Sequence, residues 1–167
     1  MTVNVSTLGN GIRVVTESMP RVETVSCGVW VGTGARNETT EVNGVAHLLE
    51  HMAFKGTERR SAQDIVEEIE SVGGHLNAYT SREQTAYYAK VLKENTGLAL
   101  DLLSDILQNS TFDADELERE RTVVIQEIGQ AHDTPDDQIF DHFQTVAFPD
   151  QPLGRPVLGS VETVGNM

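Results

Sequence analysis

The chain has 167 residues, and its 12 Lys or Arg and 26 Asp or Glu give a formal net charge of −14 at pH 7. This charge argues against binding to a nucleic-acid backbone, which needs a basic surface. It favours cationic partners such as Lys- and Arg-rich peptides, and the alternative is that it serves solubility alone. The chain has 38% hydrophobic residues and one Cys, and no apolar run approaches the roughly 18 residues that span a membrane, so we expect a single globular domain without disulfides.

The first third of the chain predicts a hairpin and a strand. Residues 1–5 have neither the basic start nor the apolar core of a signal peptide, so we expect a cytoplasmic protein. Residues 3–17 favour a hairpin, because residues 9–11 supply Gly-Asn-Gly turn chemistry between two β-type runs. Residues 24–32 show a strand-like alternation of apolar and other residues and are rich in Val, which predicts a strand. Cys27 is expected to be a small buried thiol on it.

A helix predicted over residues 45–54 carries the most informative motif. His47 and His51 lie four residues apart, which places them on one helix face because four residues advance about 400°. Their imidazoles can hold one metal ion, and Glu50 can reach a water molecule bound to it. This is the inverted zincin pattern H-x-x-E-H. The alternative is a pair of ordinary histidines on a helix surface.

The rest of the chain predicts two strands followed by helices. Ser61 with Asp64 three residues later indicates a helix N-cap, and the glycines at 73–74 end that helix. Two strands are expected over 75–81 and 85–92. Helices are expected over 94–108, 113–131 and 136–147, and a loop is expected over 149–159. This order favours an α+β fold, with a largely antiparallel sheet covered on one face by helices.

A catalytic zinc site usually takes three protein ligands and keeps one position for water. Glu127 is the best candidate for the third ligand, because it lies in the apolar stretch 122–128, where a lone carboxylate is costly to bury. Glu120 lies two turns earlier on the same helix face, from which it could hold a ligand or the water. However, Glu116, Glu118 and Glu120 also fit a solvated acidic face, so spacing alone leaves both assignments open.

Residues 47–57, HLLEHMAFKGT, resemble the catalytic helix of the M16 (pitrilysin-like) metallopeptidases. In that family a glutamate zinc ligand follows the second histidine by about 76 positions, with a further glutamate seven residues before it, and Glu127 and Glu120 match both. Residues 76–81 resemble the family's substrate-binding edge strand, and residues 154–159 resemble a later family loop. The matches run over nearly the whole chain and are similar to bacterial relatives of the mitochondrial processing peptidase β subunit.

The resemblance implies a zinc-dependent metalloendopeptidase that hydrolyses unfolded or extended peptides. The three ligands of one zinc ion would be His47, His51 and Glu127. Glu50 would act as the general base, and Glu120 would support the ligands. A peptide substrate would add as a strand beside residues 76–81, with Asn77 and Ala78 at its backbone. The alternative for Asn77 and Ala78 is a simple turn or strand end.

The resemblance also implies an architecture and partners. Residues 1–167 would form a single N-terminal catalytic half-domain of the LuxS/metallopeptidase-like type, truncated at its C-terminal end. We expect a further lobe or subunit of the same family, and self-association of this chain through uncovered surfaces. Two alternatives stay open: a non-catalytic partner or scaffold subunit of a processing-peptidase-like complex, and a zinc site that only stabilises the fold.

Overall fold

The computed structural model describes residues 3–167. Met1 and Thr2, which begin the stretch considered for a signal peptide, lie outside the described residues. The strands are β1 (Val3–Thr7), β2 (Arg13–Glu17), β3 (Thr24–Val31), β4 (His75–Thr80) and β5 (Thr85–Leu92). The helices are α1 (Val45–Ala53), α2 (Ala62–Ser71), α3 (Thr96–Gln108), α4 (Ala114–Asp133), α5 (Pro135–Ala147) and α6 (Val161–Gly165). Within residues 3–167, no helix is long and apolar enough to cross a membrane.

The strands form two antiparallel sheets. β1 and β2 make the predicted hairpin, and the other three strands pair in the order β3-β5-β4. In this three-stranded sheet Cys27 lies opposite Ala89, and Ala78 lies opposite Tyr87. The predicted α+β class with antiparallel strands is confirmed. The hairpin is a separate sheet in this structure and does not extend the larger one.

The central strand β5 shows why helices cover one face of the larger sheet. Its residues alternate between the two faces, and Tyr87, Ala89 and Val91 are buried on the helix side. Helices α2 and α3 supply the opposing apolar side chains, which are Ile65, Ile69, Ala99, Leu102, Leu103 and Ile106. The result is the expected layer of helices on a sheet.

A second, smaller core joins α1 to α4 and α6. Its buried members are Leu48, Val124, Ile128 and Val164. Leu48 directly follows His47, and Ile128 directly follows Glu127. The packing of this cluster therefore brings the two motif-bearing helices together, although their residues are far apart in the sequence.

Several predicted helix ends agree with the structure, and others shift for a local reason. Helix α2 begins where expected, since the Asp64 N–H donates to Ser61 Oγ over 3.1 Å in a capping box. Helix α3 begins at Thr96 and not at residue 94, because Lys93–Asn95 form a 3₁₀ turn. The predicted loop over 149–159 contains a further 3₁₀ turn at Pro152–Gly154.

Candidate metal centre

Three side chains from α1 and α4 converge at one point. The Nε2 atoms of His47 and His51 lie 3.7 and 3.5 Å from the same oxygen, Oε2 of Glu127. The two imidazole rings stand edge to face with centroids 4.7 Å apart. One ligand atom from each residue lies within 4.8 Å of the other two. The structure thus brings together the three residues that the sequence analysis named as ligands.

The spacing of these atoms fits a zinc ion. Zinc–nitrogen and zinc–oxygen bonds of about 2.0–2.2 Å in a tetrahedral arrangement place neighbouring ligand atoms roughly 3.3–3.6 Å apart. The nitrogen–oxygen distance of 3.5 Å lies within this range, and the distance of 3.7 Å lies just beyond it. With both imidazoles neutral, the converging atoms would all be electron-pair donors, which favours a cation between them.

The protonation of His47 suits metal binding. Burial, and then the neighbouring His51, lower the pKa of His47 to about 4. His47 is therefore neutral at neutral pH, as a metal-ligating imidazole must be. Its other ring nitrogen, Nδ1, is buried and has no hydrogen-bond partner within residues 3–167.

His51 is held differently, by a carboxylate behind it. Its Nδ1 lies 3.0 Å from Oε2 of Glu120, and the other oxygen of Glu120 lies 2.5 Å from Nζ of Lys55. Glu120 is buried, which favours its neutral form, but the hydrogen bonds from Lys55 and His51 hold its pKa below the usual value. An ionised Glu120 keeps the ring proton on Nδ1 and leaves Nε2 free to face Glu127.

Glu50 lies between the two histidines in the sequence and projects from the same helix. Its Oε2 is buried and has no hydrogen-bond partner among the described residues. Burial, and secondly the negative charge of Glu50, raise the pKa of Tyr87 to about 12. Glu50 therefore lies near the sheet beneath α1 with an oxygen available to accept a proton.

Strand β4, which contains Asn77 and Ala78, lies at the edge of the larger sheet and beside α1. Thr80 Oγ1 donates to the carbonyl oxygen of Ala46 over 3.4 Å. Ala78 is buried toward the helices, whereas Asn77 is exposed and its Oδ1 accepts from the Ala78 N–H over 2.8 Å. Both residues lie inside His75–Thr80, so the alternative of a turn or strand end is wrong.

Two residues near the metal centre were missed by the sequence analysis. Lys55 gave only a weak signal, because it follows His51 by four residues but lies beyond the end of α1 at Ala53, where helix spacing no longer applies. Glu38 gave no such signal. It lies in the loop before α1, where its carboxylate accepts hydrogen bonds from Gly44 N and Ala46 N at 2.8 and 2.7 Å.

The chain is similar to known proteins over nearly all of its length. Residues 13–161 match the family model described as Insulinase (Peptidase family M16). The chain is 52% identical, over 96% of its length, to a probable mitochondrial-processing peptidase subunit beta of Arabidopsis thaliana, and covers 30% of that protein. It is 48% identical, also over 96% of its length, to an uncharacterised zinc protease of Bacillus subtilis, of which it covers 39%.

Solved structures show the same fold. A protease from Helicobacter pylori matches with a TM-score of 0.94 and 27% identity, over 99% of this chain and 40% of that one. A peptidase M16 inactive domain from Pseudomonas fluorescens matches with a TM-score of 0.91 at 15% identity, over all of this chain and 41% of that one. The chain therefore spans well under half the length of these relatives and structures.

Proposed function

This chain belongs to peptidase family M16, and we propose that it is the zinc-binding, catalytic part of a metalloendopeptidase that cleaves unfolded or extended peptides. The observation that carries the proposal is the convergence of His47 Nε2, His51 Nε2 and Glu127 Oε2 within 4.8 Å. One buried oxygen of Glu50, on the same helix, has no hydrogen-bond partner in the described part of the chain, which supports a hydrolytic role. The name zinc protease, given to the Bacillus subtilis relative, supports the choice of metal.

Each residue then has one task in peptide hydrolysis. A zinc ion, when bound, polarises the scissile carbonyl and makes a water molecule easier to deprotonate. Glu50 takes a proton from the attacking water and passes it to the leaving amine. His47 stays neutral because it is buried, and Glu120 holds His51 with its Nε2 toward the metal position. Lys55 keeps Glu120 charged.

The substrate is proposed to bind along the free edge of β4. An extended peptide can form backbone hydrogen bonds with an edge strand whatever its side chains are, so an enzyme that binds in this way prefers unfolded segments. β4 is an edge strand and packs beside α1, which carries Glu50. In this arrangement Asn77 and Ala78 contact the substrate backbone near the cleaved bond.

We further propose that this part of the chain acts together with another lobe or subunit of the same family. It covers 30% of a relative that is itself named a subunit. A non-catalytic partner subunit is the main alternative, and it is disfavoured because His47, Glu50, His51 and Glu127 are all present. A zinc site that only stabilises the fold is disfavoured by the unpartnered Glu50 oxygen.

The test is a Glu50→Gln variant, prepared in this chain for metal analysis and in the complete subunit for turnover. The variant should bind about one zinc per chain, because Glu50 is not a ligand. It should lose activity on an unfolded peptide by about 10² or more, because an amide cannot take the proton. Elemental analysis and a quenched fluorescent peptide provide the two measurements.

The matched controls are Glu67→Gln, on the exposed side of α2, and the double variant His47→Ala, His51→Ala. Glu67→Gln removes the same charge far from the motif and should change neither result. The double histidine variant should lose both zinc and activity. Near-normal turnover in Glu50→Gln would disprove the general-base role, and a full zinc complement in the double histidine variant would disprove the site.

A further inference from the structure

The N-cap residue of α1 has no side chain with which to cap the helix. The first N–H groups of any helix lack partners within the helix and need acceptors from elsewhere. At the N-cap position of α1 stands Gly44, with a φ of 102° and no side chain to accept a hydrogen bond. This turn contains His47, so its anchoring bears directly on the metal centre.

Glu38 supplies the missing cap from the preceding loop. Its Oε1 accepts from Ala46 N at 2.7 Å, and its Oε2 accepts from Gly44 N at 2.8 Å and from Asn43 Nδ2 at 2.9 Å. The residue is only 9% exposed. Hydrogen bonds to a charged acceptor are stronger than neutral ones, and a carboxylate at a helix N-terminus is also stabilised by the helix dipole.

A later loop fastens this cap. Arg155 donates a hydrogen bond to the carbonyl oxygen of Glu38, and Asn43 Nδ2 also donates to the carbonyl oxygen of Pro156 at 3.1 Å. Gly159 packs so tightly here that a Cβ at this position would lie 2.2 Å from the Asn43 carbonyl oxygen. The segment Gly-Arg-Pro-Val-Leu-Gly at 154–159 thus holds the start of α1 in place.

The two histidines differ in how they are oriented. His51 is oriented through its own side chain, because its Nδ1 is bonded to Glu120. The Nδ1 of His47 has no such partner among residues 3–167. The direction of the His47 ring therefore depends on the backbone that carries it, and that backbone is the turn capped by Glu38.

We propose that Glu38 is a positioning residue for the metal centre, which sets the orientation of His47 through the first turn of α1. This inference rests on the proposed zinc function and adds a residue to it. Glu38 performs for His47 the task that Glu120 performs for His51, but it acts through the main chain.

The experiment measures the zinc dissociation constant by competition with a chelator, together with the melting temperature of the metal-free protein. Glu38→Ala should weaken zinc binding by about tenfold or more, the lower end of the range found when residues behind metal ligands are changed. Glu38→Gln keeps one acceptor oxygen and should weaken it less. In both variants, hydrogen exchange at the Gly44 and Ala46 amides should be faster than in wild type.

The matched control is Ser61→Ala, which removes the N-cap of α2, a helix without motif residues. It should lower the melting temperature, as loss of a helix cap does, while leaving the zinc dissociation constant unchanged. If Glu38→Ala does not fold, Glu38→Gln decides the question. Wild-type zinc affinity in a folded Glu38 variant would overturn this inference alone. Failure of the wild type to bind zinc would overturn the proposed function as well.

Discussion

Three glutamates of α4 show how residues of one type on one helix can differ in what they contact. Glu127 faces the two histidine Nε2 atoms, and Glu120 is buried between His51 and Lys55. Glu118 is exposed, and among residues 3–167 its one ion-pair partner is Arg121, over 2.7 Å. Exposed ion pairs of this kind contribute little, so the three positions should respond differently to the same substitution.

Replacing Glu127 by Gln should therefore weaken zinc binding by at least about tenfold. Tenfold is the lower end of the affinity loss found when a residue that only orients a ligand is changed, and loss of a direct ligand should weaken binding more. Glu118→Gln removes the same charge from the same helix and serves as the control, with no change expected. Isothermal titration or chelator competition can measure both. Equal zinc affinity in Glu127→Gln and Glu118→Gln would remove Glu127 from the ligand set.

Local geometry predicted only part of the site. The four-residue spacing of His47 and His51, with Glu50 between them, follows from helix periodicity and needs no tertiary structure. Spacing alone left Glu127 open as a ligand and left Glu120 open between a functional residue and part of an acidic surface. The family resemblance favoured the functional interpretation of both. Glu38 could not have been predicted, since its hydrogen bonds to the start of α1 exist only after the chain has folded.

A buried carboxylate on α3 is hydrogen-bonded to the turn before α2. Asp105 on α3 is fully buried. Four side chains donate hydrogen bonds to its carboxylate at 2.8–3.1 Å, namely Thr57, Arg59, Arg60 and Asn109. Burial alone would raise the pKa of Asp105, but these hydrogen bonds outweigh it and hold the pKa well below its usual range.

An Asp105→Asn variant should lower the free energy of unfolding at pH 7 by about 2 kcal/mol, because the buried network loses its negative charge and one of its two acceptor oxygens, and the new NH2 group faces other donors. A carboxylate with a depressed pKa in the folded state stabilises the fold fully above its unfolded pKa of about 4. That contribution is lost as the pH falls below this value toward the folded pKa. The difference in the free energy of unfolding between wild type and Asp105→Asn should therefore be smaller at pH 3 than at pH 7.

Urea unfolding at the two pH values measures this difference, and Asp101→Asn is the control. Asp101 contacts the same two arginines at 2.6–3.0 Å but is partly exposed, so its substitution should cost less. A deficit of equal size at both pH values would show that Asp105 contributes through packing and not through its charge.

Helix α3 also shows where sequence patterns stop being informative. Leu102 and Ile106, four residues apart on one helix face, are fully buried. Asp105 between them is buried as well, although an Asp in a helix usually faces solvent. Its four hydrogen-bond donors make that burial favourable. Thr57, Arg59 and Arg60 reach Asp105 through tertiary contacts that no periodicity encodes.

Two elements each carry a cluster of exposed apolar side chains. One is α5, whose Ile139, Phe140, Phe143 and Val146 are 61–81% exposed. The other is the β1–β2 hairpin, where Val3, Val5 and Val15 are 56–64% exposed. The sequence predicted both elements and an association through uncovered surfaces, but it did not indicate that α5 and the hairpin carry the exposed apolar side chains. Contiguous apolar surface of this kind commonly marks an interaction site.

We therefore expect this chain to self-associate at tens of micromolar, as measured by light scattering. The net charge of −14 makes two copies repel each other, and salt screens that repulsion over about 8 Å at physiological ionic strength. Association driven by apolar surface should consequently increase with salt, whereas association through ion pairs should decrease.

The Phe143→Lys variant should reduce the self-association without loss of stability, because the Phe143 side chain is 63% exposed. The Val5→Lys variant tests the hairpin in the same way. A clean monomer at low and high salt, with no binding of an apolar dye, would show that neither surface joins two copies.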